Sequence, residues 1–271
     1  MKTYETLKVE DRSPVLYVTF NRPEKANAMN RQMDEELSDL VSAVGSDRNY
    51  RFIVFTGAGK VFSAGADIKE VKKNIEENPT DPSWIRKDQI NRQEFLRKFD
   101  ALDQITIAAI NGPAFGAGMA LAMACDFRVM AEEAALSLPE VERGMFFSGG
   151  GTPRLVNLIG AARAKELIML GDVVSAQEAK EIGLITKAVP GDGLADSVEE
   201  MLLKLQQKPF DPLRITKKIV NASVPRFENL LYYEAELQQQ MLQHGETLDQ
   251  INDFVGQPKK DGIHPRCRKA F

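Results

Sequence analysis

The stretch Asn111–Cys125, NGPAFGAGMALAMAC, limits what this chain can fold into more than any other. The apolar run Ile105 to Ile110 precedes it and reads as a buried strand. The chain then turns through Gly112, Pro113, Gly116 and Gly118 and enters a short run of Met, Ala and Leu. Strand, glycine turn and buried helix follow one another. Backbone N–H groups in a first helical turn have no partner within the helix, and the helix dipole makes them more positive. Small residues let a ligand oxygen come close to them. The stretch therefore suits an anion, or a carbonyl oxygen that becomes one.

The flanking sequence supplies the frame. Tyr4–Val9 and Val15–Asn21 read as strands joined by the turn Asp11–Pro14. Asn30 suits the cap of a helix to about Val44, with Met33, Leu37, Leu40, Val41 and Val44 on one face. Phe52–Thr56 reads as a buried strand, and KVFSAGADI (Lys60–Ile68) as a second turn of small residues before a charged helix from about Ile68 to Glu77. Trp84–Leu102 has helical periodicity, and Asp126–Met130, Leu136–Leu138 and Ile185–Val189 read as short strands. Thr152 and Pro153 suit the N-cap and first position of a helix, and Ser175 with Glu178 makes a capping box. Beyond about Asp192 the pattern is helical: Leu194–Gln207, Leu213–Val220 and Glu228 to about Phe254. This predicts an α/β core over 1–192 and a helical region over 193–271.

Composition narrows the chemistry. With 43% hydrophobic residues among 271, a packed core is expected. A net charge of −4 leaves no electrostatic footprint for nucleic acid, and the basic run Lys259, Lys260, Arg266, Arg268 and Lys269 is local. Two cysteines, Cys125 and Cys267, make no disulfide framework and fit a reducing compartment. No stretch reaches membrane-spanning length and the start carries no apolar signal core, so a cytoplasmic location without membrane contact is the expectation. The two histidines, His244 and His264, belong to no metal-binding or hydrolase motif, and neither GxSxG, HExxH, CxxC nor a P-loop occurs. GPAFGAG departs from GxGxxG at Ala114. No metal or bound cofactor is expected. What remains is the pair of small-residue turns, Ser63–Asp67 and Gly112–Gly118, and the acid Glu140 after LSLP. Either turn alone reads as close helix-on-strand packing, and Glu140 alone as a loop carboxylate.

Taken together, the blocks resemble the crotonase superfamily, also called the enoyl-CoA hydratase/isomerase family. The residues that carry the resemblance are Asn21-Arg22-Pro23 with Asn27-Ala28, FSAGADI (Phe62–Ile68), NGPAFGAGMALAMACDFRV (Asn111–Val129), Pro139-Glu140, GGGTPRL (Gly149–Leu155) and LIMLGDVVSAQEAKEIGLI (Leu167–Ile185). The resemblance implies a spiral of ββα turns, a helical C-terminal region that builds homotrimers or hexamers, and an acyl-CoA substrate. It implies that the backbone N–H groups of Ala66 and Ala117 bind the thioester oxygen. Removing an α-proton puts negative charge on that oxygen, and two preorganised donors stabilise the enolate more than the neutral carbonyl. It also implies that coenzyme A lies near Lys25, Ala26, Ala64 and Ile68, with Phe254 and Lys259 candidates to reach a neighbour's site. Trp84, Met119, Met145, Phe146 and Phe147 are candidates for the acyl pocket, and Arg143 and Ser148 border it.

One position departs from the hydratase pattern. In hydratases of the family two glutamates flank a water; Glu140 fills the second position and Ala120 stands at the first. A single base suffices to move a proton from Cα to Cγ of a 3-enoyl-CoA, since the enolate is the intermediate. Δ3-Δ2-enoyl-CoA isomerisation with Glu140 as the acid/base is therefore the first reading, and hydration or another crotonase-type lyase or hydrolase reaction the second. Glu142 is the nearest spare acid and would share Glu140's face on an extended segment. Asp67 reads as a helix cap. A non-catalytic acyl-CoA binder is the alternative of another class.

Overall fold

A computed structural model describes residues 2–79, 81, 83–224, 228–243 and 245–256. His244, Lys259, His264, Cys267 and the rest of the basic run lie outside the described residues.

Three apolar runs build the centre. The hairpin β1 (Leu7–Arg12) and β2 (Val15–Phe20) leads through a cap at Asn30 into α1 (Arg31–Gly45), where the Asn30 side chain accepts from the Met33 N–H at 3.1 Å. Next come β3 (Phe52–Gly57), α2 (Ile68–Glu77), α3 (Ser83–Asp100) and β4 (Ile105–Ile110). β4 is buried along its whole length, as an interior parallel strand requires. The opening stretch forms the two-residue β5 (Ala114–Phe115) and α4 (Gly116–Ala124), a helix apolar all round and buried accordingly. β6 (Phe127–Ala131), β7 (Ala135–Ser137), α5 (Gly151–Leu170), β8 (Val174–Ser175), α6 (Ala176–Glu181) and β9 (Lys187–Val189) complete the α/β part. Four helices follow: α7 (Leu194–Gln206), α8 (Phe210–Ser223), α9 (Glu228–Met241) and α10 (Gly245–Gly256).

The large sheet has the order β1-β2-β3-β4-β6-β9, parallel throughout except for the β1–β2 hairpin. Strand alternation sorts its two faces. Ile53, Phe55, Ala108 and Ile110 enter the main core with α1 and α4. Phe52, Val54, Ile105 and Ile107 face Leu194, Val198 and Leu202 of α7. A second sheet pairs β5 with β7 and β7 with β8, and the bridges Met29–Ala66 and Ser63–Ala114 prolong the same series. The chain thus repeatedly gives one strand to the large sheet, one short extended piece to the small one, and then a helix, which is the implied spiral.

Local differences have local causes. The first strand runs on to Arg12, because Asp11 and Arg12 pair with Leu16 and Val15, leaving only Ser13-Pro14 to turn. α5 starts at Gly151, capped by Gly150 in the left-handed region, because the Thr152 hydroxyl donates to the Phe147 carbonyl instead of capping. The expected single helix from Glu228 is two helices, since α9 packs on α3 whereas α10 packs on α2. The helical region therefore folds back over the α/β part; the Glu234 carboxylate on α9 accepts from the Gly150 N–H at 3.0 Å. No helix among the described residues is long and apolar enough to cross a membrane.

Two asparagine side chains hold the loop between β3 and the first small-residue turn. Asn27, fully buried, donates to the carbonyls of Ala58 at 2.9 Å and Val61 at 2.7 Å and accepts from the Arg22 N–H at 3.0 Å. Asn111 donates to the carbonyls of Gly57 and Gly59, both at 3.0 Å, and accepts from the Gly57 N–H at 3.0 Å. A buried carbonyl left without its donor costs about 1–3 kcal/mol. Asn27→Ala strips two carbonyls and is expected to lower unfolding free energy in urea by about 2–4 kcal/mol; a loss of under about 0.5 kcal/mol, the usual size for a neutral surface change, contradicts the clamp.

Candidate active site

The two small-residue turns are fastened to each other through their backbones. The N–H groups of Phe62 and Ser63 donate to the Pro113 carbonyl at 3.1 and 3.2 Å, and the Phe115 N–H donates to the Ser63 carbonyl at 2.9 Å. The Ser63 hydroxyl, fully buried, donates to the Asn27 carbonyl at 2.9 Å. Gly65 then passes so close that a Cβ there would stand 2.9 Å from the Phe115 carbonyl oxygen and 3.5 Å from the Ala117 nitrogen; its φ of +90° also favours glycine.

This contact brings two free donors together. The Met29 N–H donates to the Gly65 carbonyl at 2.8 Å and the Asp67 N–H to the Met29 carbonyl at 2.9 Å. The intervening Ala66 N–H faces away from that bridge and has no partner among the described residues. Ala117 is the second residue of α4, where N–H groups lack helical partners. Both alanines line one cavity of about 130 Å³.

Glu140 approaches from the far side. β7 ends at Ser137, and Glu140 begins a short helical turn, Val141–Arg143, accepting through its carbonyl from the N–H groups of Arg143 at 2.9 Å and Met145 at 3.0 Å. Its side chain lies over the first turn of α4: a Cβ on Gly116, whose φ is +47°, would stand 2.4 Å from Oε1. Oε2 is buried with no hydrogen-bond partner among the described residues. Burial pushes the Glu140 carboxyl up from the usual carboxylate range to about 7, although the Arg143 guanidinium opposes the rise. Two main-chain donors and one carboxyl poised near neutrality share one cavity, an arrangement suited to stabilising an oxyanion while moving a proton.

The other expected residues divide. Ile68, Trp84, Met145 and Phe146 line the cavity, as do Phe147, Arg143 and Ser148. Met119 does not; it is 1% exposed and packed in the main core, one residue before Ala120, which does face the cavity. Lys25, Ala26 and Ala64 lie outside the cavity wall, with the Ala64 N–H donating to the Ala26 carbonyl at 2.9 Å and Lys25 exposed. Because the segment after Glu140 turns rather than extends, Glu142 lines a different hollow beside Glu166 and Glu178. Asp67 occupies the cap position of α2 without a capping bond; its carboxylate pairs with Arg22 at 3.2 Å. Phe254 lies under the Arg143 guanidinium, 4.2 Å from the ring centroid. Sequence reasoning missed Asp34, Asp88, Gln89 and Arg92 on α1 and α3 and Gln238 on α9, which also line the cavity. In sequence they are ordinary polar positions of amphipathic helices. Among the described residues no cluster of side chains could hold a metal ion.

A family model described as enoyl-CoA hydratase/isomerase matches residues 10–260. The short-chain-enoyl-CoA hydratase of Clostridium acetobutylicum is 32% identical over 261 residues, covering 95% of this chain and 97% of that one. Among solved structures, an enoyl-CoA hydratase/isomerase from Mycobacterium paratuberculosis superposes with a TM-score of 0.85 at 27% identity, covering 93% of this chain and 100% of that one. A monofunctional enoyl-CoA isomerase from M. smegmatis superposes with a TM-score of 0.66 at 29% identity, covering 84% and 98%. The chain belongs to the enoyl-CoA hydratase/isomerase family.

Two predictions follow from the geometry around Glu140. Gly116→Ala adds a Cβ where Oε1 lies, so turnover is expected to fall about 100-fold, whereas stability falls by only about 1–3 kcal/mol from the strained φ. Turnover close to wild type would place the carboxylate elsewhere. The second concerns pH. A carboxyl raised from 4.5 to about 7 on folding favours the fold only while protonated. That contribution is complete below about pH 4.5 and is lost as pH rises through about 7, by about 3 kcal/mol in all. Glu140→Gln carries no such loss, so its melting temperature is expected to exceed wild type near pH 8 and to converge with it near pH 4. A constant difference across that range contradicts the buried, raised carboxyl.

Proposed function

We propose that this member of the enoyl-CoA hydratase/isomerase family is a Δ3-Δ2-enoyl-CoA isomerase that works through a thioester enolate, with Glu140 as its single acid/base. The N–H groups of Ala66 and Ala117 take the thioester oxygen. Glu140, ionised, removes a proton from Cα; the electron pair moves onto the oxygen, where the two donors hold it. The same carboxyl returns the proton to Cγ, and the double bond moves into conjugation. One donor of this kind is worth about 3–4 kcal/mol in the transition state.

The observation that supports this choice within the family is Ala120. It lines the same cavity as Glu140 and has no group that can hold or deprotonate a water. Glu142, the nearest spare acid, lines another hollow. Hydration is the second reading, favoured by the similarity to the short-chain-enoyl-CoA hydratase. Coenzyme A is read at the segment carrying Lys25, Ala26 and Ala64, next to Ile68. The exposed Ile215, Ile219 and Val220 of α8 and Tyr232 and Tyr233 of α9 suit the association of further copies into a homotrimer or hexamer.

A panel of 3-enoyl- and 2-enoyl-CoA esters in deuterated water, read by mass spectrometry, separates the reactions. Wild type is expected to isomerise 3-enoyl esters with label at Cα or Cγ and to hydrate 2-enoyl esters far more slowly. Glu140→Gln should lose about 100- to 10,000-fold in isomerisation. Ala120→Glu should raise the ratio of hydration to isomerisation. Full turnover by Glu140→Gln, or fast hydration by wild type, sinks the single-base isomerase.

A further inference from the structure

The cavity that holds Glu140 has a polar wall that proton transfer does not use. Gln89 on α3 and Gln238 on α9 both line it. Gln238 is 4% exposed, and the side-chain carbonyl oxygens of both residues are buried without a hydrogen-bond partner among the described residues. Their neighbours fix where they stand. Gln93 of α3 donates to the Leu231 carbonyl at 2.8 Å and reaches the Glu234 carboxylate at 3.5 Å. Gln89 lies one turn before Gln93 and Gln238 one turn after Glu234, so the antiparallel pair carries both amides to the same level. Apolar side chains, Leu37, Ile85, Phe95 and Leu96, make up the adjoining wall.

We infer that the acyl cavity selects an acyl group bearing a hydroxyl, which seats against the Gln89 and Gln238 amides. The inference rests on the acyl-CoA reading above and deepens it. A plain alkyl chain filling the cavity expels the water that would otherwise satisfy these amides and leaves them unpaired in an apolar setting. A hydroxyl both donates and accepts, so it satisfies an amide whichever way that amide is turned. A carboxylate is the wrong polar group here. Of the two cations that line the cavity among the described residues, Arg92 is held by Asp34 at 2.7 Å and Asp88 at 3.2 Å, the three together carrying a net negative charge when both acids are ionised, and Arg143 stands beside Glu140 with its guanidinium 4.2 Å from the Phe254 ring centroid.

The test uses binding, so it does not depend on which reaction the enzyme performs. Saturated acyl-CoA esters of matched length are titrated into the whole protein by calorimetry: plain alkyl, hydroxylated at successive carbons from the fourth outwards, and carboxylate-ended. At least one hydroxyl position is expected to bind about tenfold tighter than its alkyl match, and the carboxylate-ended ester weakest. Gln238→Met and Gln89→Met should each erase that preference while tightening the alkyl ester. Equal binding of hydroxylated and alkyl esters by wild type overturns the inference even if neither variant folds. So does a preference that survives both substitutions, or tightest binding of the carboxylate-ended ester. Failure of every ester to bind overturns the acyl-CoA reading itself, and this inference with it.

Discussion

Gly65 and Phe115 approach so closely that any side chain at position 65 would meet a carbonyl oxygen at 2.9 Å. That approach fixes the relation between two backbone segments separated by some fifty residues in sequence, and the rest of the site is arranged around it. It sets the Ala66 and Ala117 N–H groups on one cavity, and it leaves room above Gly116 for the Glu140 carboxylate. The parallel sheet delivers the two turns from the ends of adjacent strands, β3 and β4, and Asn27 and Asn111 tie down the intervening loop. Packing, hydrogen bonding and chemistry here are consequences of one short contact.

The carboxyl beside that contact works against the fold. Burial, with no partner for Oε2 among the described residues, raises Glu140 to about 7, which poises the group between base and acid near neutral pH. The same burial makes the ionised form costly. On the proposed mechanism, activity that needs the ionised base and stability that favours the protonated acid therefore oppose each other across neutral pH.

How much of this could be read from the sequence depended on the kind of signal. Apolar runs such as Ile105–Ile110 and the Asn30 cap are local, and both elements appear where expected. The two turns were legible because glycine and alanine patterns mark close backbone approach, Glu140 only through the family resemblance, and the structure brings all three onto one cavity. Met119 and Ala120 show the limit: adjacent residues of an all-apolar helix, one in the core and one on the cavity, with no periodicity to separate them. Glu142 would share Glu140's face only on an extended segment, and the backbone turns there instead. Gln89 and Gln238 were invisible for a different reason. A glutamine facing solvent and a glutamine facing a cavity look alike until the packing of α9 on α3 is known.

The donors that face the cavity belong to the main chain, and this bears on how such a protein changes over generations. Almost any substitution at Ala66 or Ala117 that keeps the backbone path keeps the N–H, so the oxygen cradle is shielded from the ordinary currency of point mutation. On the proposed mechanism the side chains that choose the reaction, at positions 120 and 140, have no such protection and each is a single codon. If the proposed mechanism holds, a lineage can exchange one acid for alanine, or move a base, without dismantling the main-chain donors. Variation is then channelled into the side chains around the cradle rather than into the cradle itself.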